Sequence, residues 1–507
     1  MRFSAVLKVG LWVGFVVAHA PLLAQGSRPR VSLEVLQQQL QQLRQEYAEQ
    51  LQALQAWCRD HQQHRGEAEI AEVLQQLGQE PVVGRNLALP EQLTPPLPPE
   101  LPDAERTWRS RWLQVRKEYA RQLYLLSRRG LHAGYPSWAY DRVREVAQHD
   151  PDHQRARELL GYVLYNERWV TPYTRKMLQL GYVWHERFGW LPQQHVERYE
   201  RGERYFEGRW ISAEREAELR QDFSRAWEIR TDHYLIRTNH SLERGVELGR
   251  ALEDFYQVFH QTFAAFFNDP EHLSRVFNGT ASLVQKNPKP YLVHYYRQRE
   301  EYIHQLEPRF PSIQKTNGIY LTQGRTAHFY DDPQRLGFET LYHEATHQLF
   351  YESHPLERAI GQHAHFWVIE GVACYMESLS ITPEGASLGR HDAIRFRGAR
   401  ANYIHHHYYI PLRQLTAWGM SEFQAAPQLA RVYAQAAGLV HFFMHYEGGR
   451  YRDAFISHLI DLYSAQAKKR EQPATLEELT GVSYEELDRQ YGEYVRAIEH
   501  ELTESVP

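Results

Sequence analysis

Read from the amino end, the apolar positions fall into blocks of different period. Leu33, Leu36, Leu40, Leu43, Tyr47, Leu51, Leu54 and Trp57 recur at three- and four-residue steps among Gln and Glu. That spacing predicts a long helix over 31–63 with a coiled-coil-like seam. The seam needs a partner: the following helix, near Ile70 to Leu77, or self-association with a second copy of the chain. Packing within the chain is the simpler solution. Pro90, Pro95, Pro96, Pro98, Pro99 and Pro102 then exclude helix and central strand, and predict an extended, semi-rigid linker. Helical spacing resumes at Trp108, Trp112, Val115, Tyr119, Leu123 and Leu126. It returns at Ala139, Val143, Val146 and Ala147, and Asp150-Pro151-Asp152 ends that helix. The pattern is loosely like tetratricopeptide hairpins but lacks their fixed period.

A repeat follows. Leu160-Gly161-Tyr162-Val163 leads to Trp169, Leu180-Gly181-Tyr182-Val183 leads to Trp190, and a further Trp stands at Trp210. A period of about twenty predicts small tandem hairpins with each Trp in a shared core. Carbohydrate stacking on exposed indoles is the functional alternative. From about Ala226 the pattern changes again. Residues 227–238 read as a hairpin turning near Asp232. Ser241 is placed to cap a helix whose stripe is Leu242, Val246, Leu252, Phe255 and Phe259. Residues 291–296 read as a strand, and 318–321 with 327–330 as a second hairpin. No Pro or Gly interrupts 338–353. Apolar stripes at Leu439, Val440, Phe442 and Phe443, then at Phe455, Leu459 and Leu462, predict a helical C-terminal lobe. The segments are therefore 25–83 (coiled-coil-like helices), 84–103 (Pro-rich linker), 104–159 (helical domain), 160–222 (Trp-repeat hairpins) and 223–507. The fold class is α+β.

Composition and the start of the chain add four points. The 507 residues are 42% hydrophobic and 24% charged, as in soluble globular proteins of more than one domain. A net charge of -5 argues against nucleic acid as a partner. The first residues resemble an export signal: basic Arg2 and Lys8, an apolar run from Val9 to Val17, and small residues at Ala18, Ala20 and Ala24. Pro21 disfavours cleavage after Ala20, so cleavage near Ala24 is expected, giving a signal peptide of residues 1–24 and a periplasmic or extracellular product. Its charge is about -7, the -5 less two cations. An uncleaved anchor is the alternative, although the run is short for a span and contains His19 and Pro21. Cys58 and Cys374 lie in different segments, and nothing in their spacing demands a disulfide.

The candidate chemistry sits at His343-Glu344-Ala345-Thr346-His347. On a helix His343 and His347 share a face and can hold one metal ion, while Glu344 can reach a water beside it. A third ligand is suggested by Glu370, a carboxylate inside the apolar run from Phe366 to Met376. A lone buried carboxylate is costly unless it is paired or bound to a cation. Two His and one Glu leave a fourth tetrahedral position for water, as in catalytic zinc sites. Cys374, one turn after Glu370, is a near neighbour of this metal position or a packing thiol. Glu377 is placed either to orient a ligand histidine or to stand as a solvated helix carboxylate. His354, His363, His365 and the run His405-His406-His407 read as loop histidines.

His343-Glu344-x-x-His347 followed by Glu370-Gly371-x-Ala373-x-Tyr375-x-Glu377 resembles the gluzincin branch of zinc metallopeptidases. In detail the pair resembles the peptidase-MA-like families of exported bacterial proteins carrying domain of unknown function 1570. The resemblance implies Zn²⁺ held by His343, His347 and Glu370, Glu344 as general base, and a peptide or protein substrate. It also implies an edge strand along the cleft, for which 327–330 is the candidate, and an oxyanion-stabilising Tyr or His in the C-terminal lobe. Tyr433 is the candidate for that role, with His441 and His445 as rivals. The expected activity is a zinc-dependent hydrolase that cleaves peptide bonds. A zinc hydrolase of another electrophile and a non-catalytic scaffold are the other readings; an intact Glu344 argues against the scaffold.

Overall fold

The computed structural model describes residues 31–77, 85–281, 289–333, 337–353, 360–464 and 473–504. The expected signal peptide and its cleavage site lie outside them. Among the described residues no helix is long and apolar enough to cross a membrane.

Helix α1, Leu33–Asp60, starts where Ser32 accepts the Val35 N–H at 3.4 Å. Its seam is buried at Leu36, Leu40, Tyr47, Leu51 and Leu54. Two helices of the same chain cover it: α2, His64–Leu77, and α3, Asp103–Ala133. The seam expected to have either an internal partner or a second copy therefore has its partners within the chain. Gly134, at φ +96°, ends α3 and lets α4, Pro136–His149, fold back on it. Tyr47 of α1 stacks on Tyr119 of α3 at 4.1 Å, and Arg44 pairs with Glu145 of α4 at 3.0 Å. Segments 33–77 and 104–160 thus share one hydrophobic core.

The Pro-rich stretch is extended, but it is not a free spacer. Strand β1, Arg85–Leu87, opens it and pairs antiparallel with strand 385–387 of the C-terminal half. Farther on, Leu93 donates its N–H to the Glu167 carbonyl at 3.0 Å, and Glu91 accepts from the Trp169 N–H at 2.6 Å. Prolines remove donors, but the N–H and C=O groups between them still need partners and find them on neighbouring units.

The repeat forms three hairpins, each followed by a short helical stretch. They are β2 (Val163–Tyr165) with β3 (Arg168–Val170), β4 (Tyr182–His185) with β5 (Gly189–Pro192), and β6 (Glu203–Phe206) with β7 (Arg209–Ser212). Thr171 and Ser212 cap the helices after the first and third. The shared Trp core is not found. Trp169 is buried, but Trp190 and Trp210 are half-buried and sit across the strands from Trp184 and Tyr205. Hairpins this small cannot enclose a side chain the size of Trp on both faces.

The remaining half is built on a five-stranded sheet. In chain order its strands are β8 (Trp227–Arg230), β9 (Tyr234–Thr238), β10 (Tyr291–Tyr296), β11 (Gly318–Leu321) and β12 (Thr326–Tyr330), and across the sheet the order is β11-β12-β10-β9-β8. β10 runs parallel to β9 and β12; the outer pairs are antiparallel. Helix α5, Leu242–Thr262, capped by Ser241 at 3.1 Å, packs its Val246, Leu252, Phe255 and Phe259 under the sheet. The edge strand is β11, not the expected 327–330. Every residue of β12 is buried and both of its sides are paired, whereas β11 has one open edge.

Beyond the sheet come α6 (Glu339–Ser353), α7 (Phe366–Met376), the hairpin β13 (Ser380–Thr382) and β14 (Gly385–Ser387), α8 (Ile394–Ile404), α9 (Leu429–Gly449, kinked at 446–448) and α10 (Tyr484–Glu504). The mixed α+β architecture with a helical C-terminal lobe agrees with the sequence reading. α7 and α9 are apolar nearly all round, as helices at the centre of a core must be. They touch at Gly371, where a Cβ would lie 2.8 Å from the Ala436 carbonyl oxygen.

Candidate metal centre

Helix α6 divides its faces. Leu341, Tyr342, Ala345, Leu349 and Phe350 enter the core, with Phe350 edge-on to Phe259 and Tyr342 stacked on Phe255. That packing fixes the helix and turns His343, Glu344 and His347 out of the core. α7 brings Glu370, 8% exposed, to the same place.

The donor atoms converge. His343 Nε2 lies 3.2 Å from His347 Nε2 and 3.5 Å from Glu370 Oε2; His347 Nε2 lies 3.9 Å from Glu370 Oε1. Ligands about 2.0–2.2 Å from a tetrahedral zinc stand roughly 3.3–3.5 Å apart, so the spacing fits that ion. The donor set fits as well: two imidazoles and one buried carboxylate are a set that could hold such a cation.

A second set of contacts orients the first. His343 Nδ1 is 2.8 Å from Glu377 Oε1, so the carboxylate accepts a hydrogen bond from Nδ1–H and Nε2 faces His347 and Glu370. Arg395 of α8 clamps Glu377 with two bonds, Nε to Oε2 at 2.8 Å and Nη2 to Oε1 at 3.1 Å. Burial alone would raise the Glu377 pKa; the hydrogen bonds from His343 and Arg395 outweigh it and hold it at about 2. Burial likewise opposes the charge on Glu370, yet the neighbouring His343 and His347 keep it below the usual range. Burial lowers His347, whereas on His343 the bonds to Cys374, Glu370 and Glu377 overcome burial and raise it.

Cys374 Sγ lies 4.0 Å from His343 Nδ1 and forms, with Glu377, a second cluster around that ring. Burial pushes its thiol up to about 11, so it stays protonated. Metal ligation calls for thiolate, and Glu377 is committed to Arg395, so this cluster is a support for His343.

Glu344 accepts the backbone N–H of Tyr320, on β11, at 2.9 Å. His343, Glu344, Cys374 and Tyr433 line a cleft of about 1460 Å³. The Tyr433 hydroxyl accepts from Gln424 Nε2 at 3.0 Å, and its ring lies under Arg395 at 5.7 Å. The rival histidines are occupied elsewhere: His441 between the Gly389 carbonyl at 2.9 Å and the Tyr494 hydroxyl at 2.8 Å, His445 on the Tyr375 hydroxyl at 2.8 Å. His363 and 405–407 are exposed, His365 packs beside His458 at 5.0 Å, and His354 lies outside the described residues. Sequence reasoning missed Arg395 and the Tyr320 amide. Neither belongs to a motif, and a backbone group leaves no trace in residue type.

Residues 338–467 match the family described as "Protein of unknown function (DUF1570)". The matched stretch carries His343, Glu344, His347, Glu370, Glu377, Arg395 and Tyr433, and leaves out the sheet and everything before it. No curated protein and no solved structure matches the chain.

Proposed function

We propose that this chain is an exported, zinc-dependent hydrolase of the gluzincin kind that cleaves peptide bonds. The convergence of His343, His347 and Glu370 beside a large cleft that His343 and Glu344 line is the observation that carries the reading. His343, His347 and Glu370 would hold the zinc. A bound zinc supplies Lewis acidity: it polarises a carbonyl and makes water a stronger acid. The chain supplies the rest. Glu344 has one carboxylate oxygen fixed by the Tyr320 N–H, which aims the group at the cleft. It takes a proton from the attacking water and returns it to the leaving amine. Glu377, held by Arg395, keeps His343 in the tautomer that presents Nε2. Tyr433, which lines the cleft, is the candidate for the hydroxyl that donates to the developing oxyanion.

Turnover of a mixed peptide library by the full chain, with and without a zinc chelator, tests the reading. The chelator should abolish cleavage and added zinc restore it, and His343→Ala should lose both metal and activity. Peptide cleavage that persists in metal-free protein would overturn the proposal.

A further inference from the structure

The cleft has a second open strand edge. Strands β1, β14 and β13 form a three-stranded sheet in that order, so among the described residues β13 is unpaired on one side. Its Ser380 and Ile381 line the same cleft as His343 and Glu344, as does Gly318 of β11. The register says which backbone groups the β13 edge offers. Ala386 is opposite Asn86 on β1 and Ile381 on β13, and the Ala88 N–H reaches the Glu384 carbonyl at 2.9 Å. Residues 384 and 386 therefore turn their backbone groups toward β1. Alternation along an antiparallel strand then makes Ile381–Ala386 a pair without mutual hydrogen bonds, so the Ile381 N–H and C=O point out of the open edge. On β11 the corresponding donor is already in use: the Tyr320 N–H is held by Glu344.

Side chains around this edge are unusual. Ile381 is 36% exposed and Ile394, the first residue of α8, is 69% exposed, and both line the cleft. Two large aliphatic side chains left in water inside one cleft mark a place that an apolar group covers.

We propose that β13 is a substrate-binding edge and that Ile381 and Ile394 form an apolar subsite beside it. The occupant is an extended, unfolded polypeptide segment. Its backbone pairs with Ile381, and a large aliphatic or aromatic side chain covers the two isoleucines. The inference rests on the peptide-hydrolase reading for its substrate class and on sheet order, register and exposure for its place. It also gives the N-terminal half a part in recognition, because β1 is the strand that braces this wall.

Binding to the full-length Glu344→Gln protein separates the inference from catalysis. The probe is a fluorescein-labelled, unstructured decapeptide with a central Leu-Phe pair, followed by fluorescence anisotropy. Its companions carry a central Asp-Asp pair or N-methylated amides at the central residues. The Leu-Phe peptide should bind at least tenfold more tightly than either companion. Ile381→Asp and Ile394→Asp, made in the Glu344→Gln background, should each weaken it about tenfold with melting temperature and zinc content unchanged. Leu164→Asp, an exposed position on β2, should not change it. Equal binding by the two isoleucine variants, or no saturable binding of any peptide, would overturn the subsite. If the subsite passes while the wild-type protein cleaves no peptide, the hydrolase reading falls and the groove stands.

Discussion

At the scale of single residues, the candidate site depends on groups outside the proposed ligand set. Arg395 connects two of them: it clamps Glu377, which bonds His343 Nδ1, and it lies over the ring of Tyr433. Its side chain is one-third exposed, but its partner Glu377 is only 9% exposed, so removing the cation leaves a nearly buried carboxylate without its partner. The paired bonds also fix the geometry of Glu377. Arg395→Met should therefore weaken zinc binding about tenfold, the lower end of the range for partners behind metal ligands, and lower the melting temperature of the metal-free protein. Competition against a chromophoric chelator measures this; an affinity within twofold of wild type would show that Glu377 orients His343 unaided. Arg395→Lys should fall between the two, since lysine keeps the charge but not the paired bonds.

At the scale of elements, Gly371 decides how Glu370 reaches the site. A Gly inside a helix normally costs about 1 kcal/mol relative to Ala, so in an open helix Gly371→Ala would stabilise. Here the added methyl would meet the Ala436 carbonyl at 2.8 Å and the Val440 side chain at 2.9 Å. Forcing α7 from α9 costs about 1–3 kcal/mol and moves Glu370 with it. The expected result is a lower urea midpoint together with weaker zinc retention; a rise in the midpoint would mean that the helices yield freely. The sequence already showed much at this scale. The three- and four-residue steps of α1, the Ser241 cap and the run 338–353 are local signals, and each produced its element. Sheet order is not local. Ala327-His328-Phe329-Tyr330 and Gly318-Ile319-Tyr320-Leu321 are both plausible edges until pairing with β10 makes β12 interior. The prolines of 90–102 signalled extension correctly, but their docking onto Glu167 and Trp169 depends on residues far away in the chain.

At the scale of the whole molecule, the two halves are packed together. The Tyr124 hydroxyl of α3 donates to the Phe277 carbonyl at 2.7 Å, and Asp141 of α4 pairs with Arg452 at 2.5 Å. Buried histidines are spread through the chain, and burial holds them neutral: His260, His328 and His441 are lowered to about 3, and His149, His294 and His458 to about 4. Each has a folded-state pKa below its unfolded value near 6.5. The unfolded chain therefore takes the proton first, and stability falls as pH drops below about 6.5, continuing toward the folded values. His260 isolates the effect, because its Nε2 has no hydrogen-bond partner among the described residues and its ring packs on Tyr256 and Phe267. His260→Phe should recover roughly 2 kcal/mol of the loss at pH 5 relative to pH 7. Urea titrations at the two pH values measure it, and an unchanged pH slope would contradict the assignment.

The candidate metal site joins these scales, since His343, His347 and Glu370 come from two helices that the core of the C-terminal half holds together. Paired measurements of zinc content and peptide turnover on the wild-type and Glu344→Gln proteins test the central claim most directly. On the proposed reading Glu344 accepts the proton and is not a ligand. Glu344→Gln should therefore keep about one zinc per chain while kcat falls roughly 10²–10⁴-fold. A Glu344→Gln protein that cleaves as fast as wild type, or a gently purified wild-type protein that carries no zinc, would contradict it.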